Sequence, residues 1–91
     1  MNRCEVQERL EAALDQLASI EHERWAHWQQ YMHSKAKRQT DGSLLIPADL
    51  AAQWSRQIKT PYDKLTPEEQ KSDQEQVLRY LPTIVDVLTT P

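Results

Sequence analysis

Ninety-one residues suffice for one domain, and a chain this short buries only about 60–65% of the surface its unfolded form exposes. Hydrophobic residues make up 38% and charged residues 27%, which excludes a disordered chain, while a single glycine argues against an all-β domain with its glycine-rich turns. A net charge of −3 gives no general steering toward nucleic acid, so no nucleic-acid polymer is expected as a partner.

Along the chain, Val6, Leu10, Ala13, Leu17 and Ile20 recur at steps of four and three, and Trp25, Trp28 and Met32 continue the pattern. The period predicts one long amphipathic helix over roughly 3–36. Residues 1–23 hold two bases against six acids, whereas 24–40 hold four bases (Arg24, Lys35, Lys37, Arg38) and no acid. Acids early and bases late suit the helix dipole. A helix this long cannot bury its whole stripe in so small a fold. It either bends between the two stripes or packs its acidic first half on a partner.

Asp41-Gly42 marks a turn, set either in a short hairpin through 37–40 and 43–46 or in an irregular loop. Pro47 opens a second helix, along which Leu50, Trp54 and Ile58 line up at steps of four. Residues 59–65 read as an extended connector, because the residue before a proline disfavours the helical region. Thr66-Pro67-Glu68-Glu69 has the makings of a capping box and starts a helix running to about Tyr80. Pro82 kinks or ends it, and Ile84, Val85 and Leu88 form a last apolar turn. The expectation is a mostly α fold: a single domain over 1–91, a compact bundle of about three to four helices with at most one short β-hairpin. No apolar run approaches the ~18–20 residues a bilayer requires, and no secretion signal is visible, so a cytoplasmic location and no membrane partner are expected.

Candidate chemistry is sparse. His22, His27 and His33 sit at steps of five and six, about 140° and 120° apart around a helix, and do not converge on a metal. The serines lie in no nucleophile-elbow context, Cys4 has no partner for redox or zinc chemistry, and no glycine-rich loop cradles a phosphate. No catalytic residue, metal or cofactor is expected. The segment His22-Glu23-Arg24-Trp25-Ala26-His27-Trp28 carries more information, since two tryptophans beside bases can stack a planar ring and pair with an anion. Its other reading is core: with no phenylalanine in the chain, the tryptophans must supply core volume. Lys35, Lys37 and Arg38 likewise suit either an anion or the end of a helix dipole.

His22-Glu23-Arg24-Trp25 resembles the His-Glu-x-Trp of the ryanodine receptor repeat domain. The stretch from Thr60 to Asp73, with Pro61-Tyr62, Leu65, Lys71 and Asp73, is similar to that family's Pro-Tyr-x-x-Leu-Pro-x-x-x-Lys-x-(Asn/Asp) segment. The resemblance spans about 19–88 and leaves 1–18 as an N-terminal helical extension. It departs in the middle, where the family's Gly-Trp-x-Tyr-Gly region has no counterpart and 42–58 looks like an insertion with its own helix. The resemblance implies a helix-rich module, found in channels and in small bacterial and phage proteins, and associated with adenine-nucleotide binding.

Together these readings predict a non-enzymatic binder of a small anionic, nucleotide-derived ligand, acting as a sensor or sequestering protein. Its site would use His22, Arg24, Trp25, Trp28, Lys35, Arg38 and Tyr62. The alternative is a protein-interaction or oligomerisation module working through the acidic helix, residues 5–20, on itself or a partner protein.

Overall fold

A computed structural model describes residues 1–91. The fold is mostly α with one short antiparallel hairpin, as the patterning predicts. Its elements in order are α1 (Arg3–Ala12), α2 (Leu14–Lys35), β1 (Lys37–Arg38), β2 (Leu44–Leu45), α3 (Ala48–Lys59), α4 (Pro67–Leu78) and α5 (Leu81–Thr89).

Asn2 caps α1 by accepting from the Glu5 amide at 2.9 Å. The expected single helix is interrupted at Ala13, whose φ of −95° and ψ of 12° leave the helical region and whose N–H turns back to the Leu10 carbonyl. Neither proline nor glycine is present there. The small side chains of Ala12 and Ala13 instead let α5 come close, and with Gln16, Val87 and Thr90 they line the hollow between the two elements. The bend also carries Arg9 to the end of α5, where its guanidinium donates to the carbonyls of Val87, Leu88 and Thr90. A cation on the last carbonyls satisfies acceptors that the helix leaves unpaired and complements its dipole.

The hairpin alternative holds between α2 and α3. Lys37 faces Leu45 and Arg38 faces Leu44, and the Gln39 amide donates to the Ser43 carbonyl at 2.7 Å. Gly42 closes the loop at φ +88°, a left-handed conformation that L side chains rarely adopt. Asp41 accepts from the Ser43 amide and hydroxyl at 2.9 and 2.6 Å, which locks the turn.

Pro47 stands one residue before α3 and serves as its N-cap. Leu50 and Trp54 face inward, but Ile58 is 83% exposed, so the apolar contacts stop a turn short of the helix end. The 59–65 connector is extended at Thr60, Pro61 and Leu65; between them Tyr62–Lys64 form a 3₁₀ turn, with the Lys64 amide donating to the Pro61 carbonyl at 2.9 Å. Both halves of the Thr66–Glu69 capping box are present: Thr66 Oγ1 accepts from the Glu69 amide at 3.2 Å, and Glu69 Oε1 accepts from the Thr66 amide at 3.0 Å. The chain turns at Arg79–Tyr80, ahead of Pro82, which becomes the second residue of α5, where its missing N–H costs nothing.

These helices form a flat, elongated body of 54 × 34 × 17 Å with a radius of gyration of 17.8 Å. Ala13 is the single buried residue, and no side chain is fully buried.

Candidate binding surface

Trp28 is the hub of the aromatic cluster. Its ring lies 5.8 Å from Tyr31 in a stacked pair, one turn on along α2, and meets Trp54 of α3 edge-on at 5.2 Å. Both are favoured aromatic geometries. Lys35, a further turn on, holds Nζ 5.6 Å from the Tyr31 ring centre, a cation–π distance. Trp28 nonetheless stays 38% exposed and Tyr31 44% exposed. The cluster is thus half core and half surface.

The other expected site residues occupy separate places. Arg24 is engaged by Glu21, with Nε 3.0 Å from both carboxylate oxygens and a further ion pair through Nη2; Tyr80 donates its hydroxyl to the same carboxylate. The Arg24 hydrogen bond, then the Tyr80 hydroxyl, lower the Glu21 pKa from 4.5 to about 2. This trio pins α2 to the α4–α5 turn, so Arg24 offers an anion little that Glu21 does not already take. His22 and Trp25 stack on each other at 6.1 Å along an exposed flank. Tyr62 belongs to the connector, where its hydroxyl accepts from Gln74 and its carbonyl from Gln70. Arg38 is exposed on β1. The seven residues are therefore spread over five locations: Lys35 with Trp28, Arg24 with Glu21, His22 with Trp25, Arg38 on the hairpin and Tyr62 on the connector before α4.

Sequence reasoning missed Tyr31, Trp54, Glu21 and Tyr80. Tyr31 was legible as the i+3 neighbour of Trp28. The pairing of Trp54 and Tyr80 with α2 depends on tertiary packing that no local spacing encodes.

Two of the open hollows on the surface are sizeable. One, of about 390 Å³, is lined by Val6, Leu10 and Leu14 with Arg3, Gln7 and Glu11. The other, of about 500 Å³, lies between α1 and α5. Neither contains any of the seven expected residues. No three His, Cys, Asp or Glu side chains gather as metal ligands, and no helix is long and apolar enough to cross a membrane. No protein-family model, curated protein or solved structure matches the chain.

Proposed function

We propose that this chain is a non-enzymatic binding module whose partner is a protein surface. The carrying observation is burial: Ala13 alone is covered, while Leu14, Trp25, Val77, Leu78 and Val85 are each more than half exposed. An isolated domain seldom leaves that much aliphatic and aromatic area in water, and such patches mark interaction surfaces. Half-exposed tryptophan and tyrosine are the side chains that most often carry binding energy at protein interfaces.

The test is dye binding and amide exchange by the dilute, isolated chain. Uncovered apolar faces should enhance anilinonaphthalene sulfonate fluorescence, and the amides of α1 and α5 should exchange quickly. A chain that is monomeric, protected and silent to the dye has no face awaiting a partner, and the reading fails.

A second reading is favoured by the Lys35–Tyr31 contact and by the resemblance to the ryanodine receptor repeat domain. Here a small anionic, nucleotide-derived ligand stacks on Trp28 or Trp25, while Lys35 and Arg38 hold its phosphate. Calorimetry against mono-, di- and cyclic nucleotides tests it. Lys35→Glu should weaken binding by roughly tenfold or more, and no heat across the panel removes the reading.

A further inference from the structure

A monomeric protein of 10.7 kDa ordinarily exposes about 5,500 Å² and has a radius of gyration of about 12 Å. This chain exposes 7354 Å² at a radius of 17.8 Å. The excess is about 1,850 Å² per chain. If two copies cover that excess on each other, the interface totals about 3,700 Å², inside the range of obligate dimers.

One face of α2 has the spacing of such an interface. Leu14, Ala18, Glu21, Trp25 and Trp28 follow one another at steps of four, three, four and three, the repeat of a coiled-coil seam. At 3.6 residues per turn they fall within about 80° of one another. Leu14 is 66% exposed and Trp25 52%, and Ala18 is exposed as well. The hollow at Val6, Leu10 and Leu14 extends the seam into α1. The hollow against α5 opens on the other side of the helix, through Arg9, Ala13 and Gln16. The one charge in the seam, Glu21, is already met within its own protomer by Arg24 and Tyr80.

Resting on the protein-interaction reading above, we propose that the partner is a second copy of this chain, with the two α2 helices antiparallel along this seam. Charge selects the direction. Within α2, the first half holds three acids (Asp15, Glu21, Glu23) and no base, whereas the second half holds two bases (Arg24, Lys35) and no acid. An antiparallel pair lays the basic half of each helix along the acidic half of the other, and a two-fold axis repeats the match. A parallel pair sets like charge on like. With the axis near Glu21, Trp28 of each copy, beside its own Trp54, meets Leu14 of the other, Trp25 meets Ala18, and the two Glu21 side chains, each neutralised by its own Arg24, meet at the axis.

Analytical ultracentrifugation of the full chain at micromolar concentration should give twice 10.7 kDa. Leu14→Lys and Ala18→Lys alter exposed positions, and each should weaken association at least a hundredfold. Where either variant also loses helix, dilution of the unaltered chain decides: helicity that falls together with the mass supports the pair. Cys4 is exposed, and in the antiparallel pair the two copies of it lie at opposite ends, so mild oxidation should not cross-link the dimer. A dimer trapped through Cys4, a dimer indifferent to both lysines, or a monomer throughout overturns the proposal. A monomer that still binds the dye removes only the second copy and leaves the protein-interaction reading standing. A monomer silent to the dye removes both.

Discussion

The capping box at the start of α4 offers the sharpest test of how local sequence holds this fold. Thr66→Ala deletes the hydroxyl that accepts from the Glu69 amide and leaves the return bond from Thr66 N–H to Glu69 without its counterpart. Thr66 is exposed, so water replaces the lost acceptor and the cost stays near the ordinary capping value of about 1 kcal/mol. With a urea slope of about 1 kcal/mol per molar, that moves the unfolding midpoint down by about 1 M. The thermal midpoint should fall by about 4–8 °C. Thr66→Ser keeps the acceptor and should match the parent. Glu69→Gln keeps the box but removes the ion pair with Arg56 Nη2 at 2.6 Å, which joins α3 to α4. Its effect should shrink with added salt, as that of Thr66→Ala should not. The assay is far-ultraviolet dichroism during urea titration at one fixed protein concentration. A parent-like midpoint for Thr66→Ala refutes the reasoning, since the cap would then contribute nothing to the folded state.

Acid should loosen the molecule. Glu21 is held at about 2 by Arg24 and Tyr80, and Glu69 is lowered by Arg56 and the Thr66 amide, so both folded values lie below the unfolded ones. Their contribution is full above the ordinary carboxyl range and is lost as pH falls through the folded values; melting temperatures that stay flat from pH 5 to about 2 contradict this. Gly42→Ala meets no atom but must adopt φ +88°, so it should cost about 1 kcal/mol from backbone strain alone, with Gly42→Asn milder in thermal melts. Compared at dilutions where the chain is monomeric, Trp28→Ala loses two ring partners and should lower the melting temperature well below that of Trp25→Ala, whose one ring contact is with His22 on the surface. Equal losses would mean that the Trp54 contact is not made in solution.

Much of the local structure was legible. The Thr66 box, the Asp41-Gly42 turn and the helical period of 3–36 each follow from residues within a few positions of one another. Two outcomes were not legible in this way. The break at Ala13 answers to α5, which packs there from more than seventy residues away. The turn at Arg79–Tyr80 precedes the proline that was expected to cause it, because Tyr80 reaches back to Glu21. The candidate site divided for a local reason: Arg24 shares the stretch that holds Trp25 and Trp28, but Glu21, three residues back on the same helix, takes its guanidinium. Composition could name the stacking and charged residues without saying which of them the fold would already have paired.

The ties that fix α1 in place have a consequence for the order of events during synthesis. Arg9 is held by carbonyls 78 to 81 residues further along, and Glu21 by a hydroxyl 59 residues along. Closing loops of that length requires the intervening chain to exist, although a doubling of loop length adds only about 0.6 kcal/mol to the entropic cost. A ribosome making the chain at about 5–20 residues per second therefore releases α1 and α2 seconds before α5 exists to meet them. Through that interval α1 lacks the cover that α5 gives it, while α2 can already meet Trp54 of α3. α1 is made well before α5 and anchored only once α5 arrives.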